Sequence, residues 1–372
     1  MDGNTLDEHF SSLLDPRKNS WLQLHSLRDI LVIGVCATIG GADSFEDMAA
    51  FGRAKKDWFQ GFLDLPNGIP SHDTFNRVFE KLDCLKFKEC FISWVQSICE
   101  LTHGEIIAID GKTLRGSRGK DGKPLHIVSA WANSNQLVLG QLATEQKSNE
   151  ITAIPKLLEM LDLSNCIVTI DAMGCQKEIA KKIIDGNADY TLGLKGNHGI
   201  MFDEVKQHYD GATETILTKK TSDFFETVDG DHGRIETRKY WISDDIDWLS
   251  NKENWPGLKS IGIAQSTREI GDKISFERRY FLCSIAPDAA IFANAVRSHW
   301  GIENTLHWSL DVTFKEDACK VKGNAAQNLS HLRHIALNIL KSDSSRGSIR
   351  GKRLKAGWDI NFLGKLLKNH IL

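Results

Sequence analysis

The architecture of this chain follows from two similar stretches, Glu105-Ile-Ile-Ala-Ile-Asp110 and Cys166-Ile-Val-Thr-Ile-Asp171. Each is a short apolar run, rich in β-branched residues, that ends in an aspartate and leads into a polar turn containing glycine, as strands commonly do. In an α/β sheet, ligands collect at the carboxyl ends of the strands, so Asp110 and Asp171 are candidates for one site. A single aspartate in this position is more often a turn former or a helix cap. Two in matching surroundings favour a shared site.

The elements between and around these stretches alternate in a recognisable order. Apolar runs at 126–131 and 136–142 predict two more strands, which form an antiparallel meander with the first. A helix from Ser148, its predicted cap, to Leu161 comes next, and after the second stretch a helix at 176–184 and a strand at 190–194 follow. The order β-β-β-α-β-α-β predicts a mixed α/β fold with a ribonuclease H-like core.

The remainder of the chain divides by texture around that core. Residues 1–100 show helical periodicity and predict a helical N-terminal domain, where the short helices at 44–51 and 71–79 indicate either a DNA-end reader resembling a helix-turn-helix or a plain packing unit. The other predicted regions are the first part of the core at 101–200, a β-rich insertion at 201–287, core helices at 288–341, and a basic C-terminal tail at 342–372 after a linker rich in glycine, serine and arginine.

Composition and charge limit the possible functions. The 372 residues are 41% hydrophobic and 26% charged, which is ordinary for globular proteins. The net charge of -3 argues against a nucleic-acid partner. The basic residues are clustered, however: residues 346–370 contain seven Lys or Arg and one acid, and residues 111–123 contain five and one. These two segments predict local positive surfaces. The most apolar window, 30–39, is about half of the ~20 residues that span a bilayer, and the N-terminus lacks a signal sequence, so we expect a cytoplasmic protein without membrane contact. Eight cysteines without a Cys-x-x-Cys pair exclude a zinc ribbon.

A third acid, Glu303, lies in a predicted helix with His307 and Asp311, each four residues further along the same face. Such a stripe can be a solvated surface. However, large apolar residues surround these acids, which predicts a packed helix whose carboxylates coordinate a metal or pair with a base. Three carboxylates and no thiolate suit Mg²⁺ or Mn²⁺, and two such ions about 3.5 to 4 Å apart can drive phosphodiester cleavage.

At these residues the sequence resembles the DDE transposases of bacterial insertion sequences, and most closely the H-repeat-associated proteins. The resemblance covers almost the whole chain and is carried by ordered motifs, which are Asn67-Gly-Ile-Pro-Ser-His-Asp-Thr74, Ile107-Ala-Ile-Asp-Gly-Lys-Thr-Leu114, Lys147-Ser-Asn-Glu-Ile-Thr-Ala-Ile-Pro155, Asp171-Ala-Met-Gly-Cys-Gln176, Lys195-Gly-Asn197, His232-Gly-Arg234, His299-Trp-Gly-Ile-Glu-Asn304 and Arg333-His-Ile-Ala-Leu-Asn338.

The resemblance implies that Asp110, Asp171 and Glu303 are the catalytic triad and hold two Mg²⁺ or Mn²⁺ ions per active site. It also implies a β-rich insertion between the second and third acids. The implied activity is cleavage at element ends and transfer of the 3'-hydroxyl into target DNA. The partners are then double-stranded DNA, both terminal inverted repeats and target, and a second copy of the chain, because two ends must be joined.

The surroundings of the third acid depart from the family pattern. Related enzymes have a Tyr, an Arg and a Lys at fixed spacings, where this chain has Val296, His299 and Leu310. Arg297, His299 and Trp300 are therefore candidates for DNA contacts made in another way.

Other candidate DNA contacts lie near the strand ends and in the insertion, although each could be an ordinary surface residue: Lys112, Arg115, Lys195, Asn197, His198, Arg234 and Arg238. His307 and Asp317 are candidates for orienting the metal ligands, or have a plain structural role. Two further functions stay open at this point, a catalytically silent or repurposed DNA-binding relative and a nuclease on the same core that does not transpose.

Overall fold

The computed structural model describes residues 5–17, 23–119, 122–144, 150–231, 233–368 and 370. These residues form a mixed α/β structure built on one nine-stranded sheet, with strand order β3-β2-β1-β4-β5-β9-β8-β7-β6. The mixed α/β class predicted from the sequence is confirmed.

Within the described residues, six helices precede the sheet. They are α1 (Leu6–Phe10), α2 (Leu27–Ile39), α3 (Phe45–Ala54), α4 (Lys56–Phe59), α5 (His72–Lys81) and α6 (Cys84–Ile98). The side chain of Ser26 caps α2 by accepting a hydrogen bond from Asp29 N, and every residue of α2 from Asp29 onward is buried. A helix that is apolar on all sides belongs in a core, and α2, α5 and α6 all pack on the later helix α12 (Gly323–Ser342). The helices between Leu6 and Ile98 therefore share a hydrophobic core with later parts of the chain, and the domain boundary at residue 100 stays a prediction.

The strands that carry the two aspartates lie side by side in the middle of the sheet. The chain forms β1 (Ile106–Leu114), β2 (Leu125–Ala132), β3 (Leu137–Ala143), α7 (Glu150–Leu158), β4 (Ile167–Ile170), α8 (Lys177–Asp185) and β5 (Asp189–Leu194), which confirms the predicted order of elements. Strands β1, β4 and β5 are parallel, and β2 and β3 extend the sheet antiparallel. Ser148, the predicted cap of α7, lies outside the described residues.

The insertion continues this sheet instead of forming a separate one. Its strands are β6 (Asp223–Asp231), β7 (Arg234–Ser243), β8 (Ser260–Ile270) and β9 (Lys273–Cys283), and β9 pairs antiparallel with β5. Two helices that the sequence analysis did not anticipate, α9 (Gly199–Tyr209) and α10 (Glu214–Lys220), come before the strands. Met201, Val205 and Tyr209 are buried at four-residue spacing on α9, and this helical period is the signal that was overlooked.

The segment that carries Glu303 is a helix with an irregular end. Helix α11 (Ala289–Gly301) begins at the cap Asp288 and leads into two π-helical segments, Ile302–His307 and Ser309–Thr313, before α12. Wider π turns inside helical segments are uncommon and occur often at functional sites. None of the helices in the described ranges is long and apolar enough to cross a membrane.

The basic C-terminal region differs from the predicted tail. It forms α13 (Ile349–Trp358) and α14 (Ile360–Leu367), which pack on each other and on α12. Arg353 is buried and donates hydrogen bonds to Thr38 O at 2.9 Å and Ala42 O at 2.7 Å, and Lys352 is buried near Asp343 at 3.3 Å. These two cations hold the fold together internally, so the count of basic residues overstates the positive surface of this region.

Candidate active site

The first two acids are adjacent because of strand register. Ile109 and Ile170 are the last paired residues of the parallel strands β1 and β4, and Asp110 and Asp171 follow them directly. Neighbouring strands are about 4.8 Å apart, so these two side chains point to the same face of the sheet from neighbouring positions. Asp171 also forms its turn, since its Oδ1 accepts hydrogen bonds from Met173 N at 3.0 Å and Gly174 N at 3.3 Å. Asp171 therefore forms the turn, and the turn in its place orients the Asp171 carboxylate.

Helix α11 brings the third acid to the same place. The helix packs across β1 and β4, and His299 Nδ1 lies 3.1 Å from Thr169 Oγ1. Four residues on, at the start of the first π-helical segment, Glu303 lines a cavity of ≈ 180 Å³ together with Asp171. The carboxylate of Glu303 is exposed, whereas the sequence suggested a buried one, because this side of the helix faces the cavity.

Negative charge is concentrated around Asp110. Burial is the largest effect on its carboxyl group, and the charges of Glu150, Asp171 and Glu303 add to it, so that the pKa of Asp110 rises to about 7 despite a hydrogen bond from Gly111 N. The ring of His307 has Nδ1 at 3.7 Å from Asp110 Oδ2, but burial and the charge of Lys112 hold the pKa of His307 at about 4. The imidazole is thus neutral at pH 7 and cannot offset the acids.

A divalent cation fits this donor set by its chemistry. Carboxylate oxygens are the ligands that Mg²⁺ and Mn²⁺ prefer, and a cation would offset the clustered negative charge. As the side chains stand, no group of three or more His, Cys, Asp or Glu residues in the described part of the chain is arranged to hold a metal ion.

Lys112 is placed differently from the expected phosphate contact. Its side chain is buried, and its ammonium lies 2.6 Å from Asp311, 3.2 Å from Asp317 and 3.4 Å from Glu316. The exposed Arg115 also approaches Asp317, at 3.4 Å. Asp317 thus anchors the residues after Asp110 and does not contact the triad directly. A contact between Lys112 and DNA stays a prediction that this arrangement does not favour.

The predicted contacts after β5 are partly structural. Asn197 Nδ2 donates a hydrogen bond to Ala172 O at 2.7 Å and so braces the turn that follows Asp171. The ring of His198 packs edge-on against Trp255, and burial lowers its pKa. Lys195 is exposed and lines the cavity of Asp171 and Glu303, so of the three it is the best placed to meet a phosphate.

A groove of ≈ 530 Å³ lined by arginines adjoins this cavity. Arg234, Arg238, Arg297 and Trp300, all candidates from the sequence, line it. Arg238 is buried and forms ion pairs with Asp229 and Glu236. The sequence had suggested either a DNA contact or an ordinary surface residue at this position.

Two further arginines line this groove, Arg268 and Arg279, and neither was predicted as a site residue. The strand alternation of β8 and β9 contained this information, but only the register shows that Arg268 lies opposite Glu236. The guanidinium of Arg279 lies 5.0 Å over the ring of Trp300, which links the groove to the cavity.

Glu150 and His126, which were not predicted as site residues, lie against Gly111, the residue after Asp110. Glu150 Oε1 is 2.7 Å from His126 Nε2, and His126 Nδ1 is 2.8 Å from Thr113 Oγ1. Glu150 belongs to the quoted motif at 147–155, but its sequence neighbourhood does not reveal that it reaches Gly111.

Comparison with known proteins identifies the family of this chain. Residues 102–339 match the family model described as Transposase DDE domain, and residues 7–95 match one described as DDE_Tnp_1-associated. The chain is 42% identical over 375 residues to "Putative transposase YncI" of Escherichia coli O157:H7, covering 99% of this chain and 95% of that one. It is 41% identical over 376 residues to "H repeat-associated putative transposase YhhI" of Escherichia coli K12, covering 99% and 98%.

Among solved structures, a piggyBac transposase synaptic complex with hairpin DNA aligns with 98% of this chain and 77% of that chain, at 11% identity and a TM-score of 0.43, a similarity too low to define a shared fold. The family assignment therefore rests on sequence. On the match of its residues 102–339 and on full-length relatives at 41–42% identity, this chain belongs to the transposases with a DDE domain.

Proposed function

We propose that this protein cleaves DNA at the ends of an insertion element and joins the freed 3'-hydroxyl to target DNA, with Asp110, Asp171 and Glu303 as the metal-holding triad. The observation that supports this most directly is the register of β1 and β4, which makes Asp110 and Asp171 neighbours at the carboxyl ends of parallel strands. Within this proposal, β1–β5 with α7, α8 and α11 are a ribonuclease H-like core.

Two Mg²⁺ or Mn²⁺ ions, when bound, supply the chemistry by activating a water or a 3'-hydroxyl and by offsetting charge on the entering and leaving oxygens. The residues of this chain hold and orient the reactants. The turn at Asp171 fixes one carboxylate, and the packing of His299 against Thr169 fixes the part of α11 that precedes Glu303. His307 Nδ1 lies 3.7 Å from Asp110 Oδ2, on the π-helical segment that also carries Glu303.

DNA is proposed to run from the acidic cavity across the arginine groove. Arg297 is exposed, Arg279 is stacked on Trp300, and both line the groove beside Glu303. Guanidinium groups suit phosphates because two of their N–H donors can bind two phosphate oxygens at once. We also expect a homodimer in the DNA complex, because two element ends must be brought together.

The test is incubation of the full-length protein with a labelled duplex that carries the element's own end, in Mg²⁺ or Mn²⁺. The informative variant is Asp171→Asn, because asparagine keeps the oxygen that forms the turn and loses the charge that holds a cation. Several kcal/mol of ion-derived stabilisation would be lost, so we expect nicking to fall at least about 100-fold. Asp185→Asn, at an exposed acid on α8, is the control and should nick normally.

The outcomes separate the functions that the sequence left open. Nicking at the element boundary that Asp171→Asn abolishes, followed by joining of the 3' end to a second duplex, supports the transposase. Nicking without joining indicates a nuclease. Binding without nicking, equal for both proteins, indicates a DNA-binding relative and contradicts the proposal.

A further inference from the structure

We propose that Glu150 is a fourth carboxylate of the divalent-cation site, beside Asp110, and that His126 holds it in position. This inference rests on the proposed function, because it presupposes that Asp110 and Asp171 hold the cations.

A missing side chain at Gly111 is what lets Glu150 approach. Gly111 follows Asp110 in β1, and Glu150 is the first residue of α7. A Cβ added to Gly111 would lie 2.5 Å from both Glu150 Cδ and His126 Nε2, and closer still to Glu150 Oε1. The carboxylate thus occupies the space that any other residue at position 111 would fill.

His126 fixes the orientation of this carboxylate. It lies in β2 directly opposite Thr113 of β1. A carboxylate can only accept hydrogen bonds, so His126 Nε2 donates to Glu150 Oε1 at 2.7 Å, and His126 Nδ1 lies at hydrogen-bond distance, 2.8 Å, from the Thr113 hydroxyl oxygen. Both ring nitrogens are used, which leaves the imidazole a single orientation. One hydrogen bond leaves the carboxylate with lone pairs for a cation.

The position of Glu150 beside β1 meets a need of a two-ion site. The strand order is β2-β1-β4, so Asp171 follows the strand on one side of β1, whereas His126 lies in the strand on the other side. Glu150 contacts His126 and so lies on the side of β2. Two cations that share one carboxylate need anionic oxygens on both of its sides. Asp171 and Glu303 line the cavity on the side of β4. Glu150 is the acid in position to serve the other side.

A purely structural role is the competing explanation. An acid in the first turn of a helix stabilises it through the helix dipole, and a bond to His126 adds to that. The distinguishing measurement is metal affinity in the absence of DNA, because a structural acid would change stability and leave cation binding unaltered. Manganese alone is the probe, and the electron paramagnetic resonance signal of free Mn²⁺ reports binding to the full-length chain.

We expect the wild type to bind two Mn²⁺ ions per chain and Glu150→Gln to weaken at least one of them roughly 10- to 100-fold. Glu159→Gln, at an exposed acid just beyond the end of the same helix, is the matched control and should bind as the wild type does. If Glu150→Gln binds Mn²⁺ as Glu159→Gln does, the inference is overturned. Asp171→Asn distinguishes failure of the Glu150 inference from failure of the proposed function. If that variant binds Mn²⁺ as the wild type does, the proposed metal site at Asp110 and Asp171 is itself contradicted.

Two further variants test the geometry. Gly111→Ala places a methyl group against the flexible ends of Glu150 and His126, which can swing away, so the protein should fold yet bind Mn²⁺ as weakly as Glu150→Gln. His126→Ala should weaken binding in the wild type and have no effect in the Glu150→Gln background, because a positioning residue acts through its partner. Additive losses in the double variant would contradict the role assigned to His126.

Discussion

Replacing Lys112 by alanine tests whether this residue meets DNA or holds the fold together. Its side chain is 8% exposed, and its ammonium is 2.6 Å from Asp311, 3.2 Å from Asp317 and 3.4 Å from Glu316. Glu316 is 1% exposed, and its other cation, Arg333, is 3.6 Å away. Lys112→Ala would therefore leave the buried Glu316 carboxylate with Arg333 as its remaining cation and with the hydrogen bond from Ser330 Oγ at 2.9 Å.

The expected loss follows from burial. Removing one partner of a buried ion pair costs about 3 to 5 kcal/mol, because the remaining charge is left uncompensated. Asp311 and Asp317 are partly exposed, so water screens their share. The large contribution comes from Glu316, which places the expected loss at the lower end, about 3 kcal/mol.

Urea unfolding of the full-length protein measures this, with the free energy of unfolding extrapolated linearly to water. The control is Lys181→Ala, whose ion pair with Asp185 has side chains 61% and 55% exposed, so it should lose less than about 0.5 kcal/mol. The reasoning is refuted if Lys112→Ala is as stable as Lys181→Ala and loses DNA binding instead. That result would restore the phosphate contact suggested by the sequence.

Three other variants examine the charged surfaces. Arg297→Ala should weaken DNA binding and lower the slope of log affinity against log salt by about 1, measured by fluorescence anisotropy, and an unchanged slope would exclude a phosphate contact. For Glu236, burial acts to raise the pKa, but the hydrogen bond from Arg234 and the neighbouring arginine charges hold it at about 2 against a usual 4.5. The stabilisation by the Glu236 carboxylate is therefore complete above pH 4.5 and is lost as pH falls through about 2. The difference in free energy of unfolding between wild type and Glu236→Gln should close over that range when unfolding is measured at decreasing pH. A constant difference would contradict this role of the ion pairs. Arg353→Ala should cost about 3 to 5 kcal/mol in urea unfolding, because its guanidinium is buried 2.9 Å from Asp43, whereas a small loss with weaker DNA binding would favour a phosphate-tracking tail.

Several features of the site could be predicted from local sequence. The apolar runs that end in Asp110 and Asp171 identify two strands, because burial and β-branching act over a few residues. The same locality explains why the order of elements around them was predicted correctly and why the motifs indicated the family. Helix α9 was not predicted although its four-residue apolar period is also local. Helix α10 buries only Leu217, so its sequence carries no comparable period.

The partners of the charged side chains were beyond the reach of sequence. Lys112 and Arg353 both read as exposed cations in basic stretches, yet each is buried against acids that are roughly 200 or 300 residues away in the chain. Glu150 reaches Gly111 only because α7 packs on β2 and β3 and begins beside β1. The residues themselves therefore established the strands, their acids and the family. The folded chain alone determines which charges face water and which neutralise one another, because Coulomb energies and desolvation depend on distances in space and not on separation along the sequence.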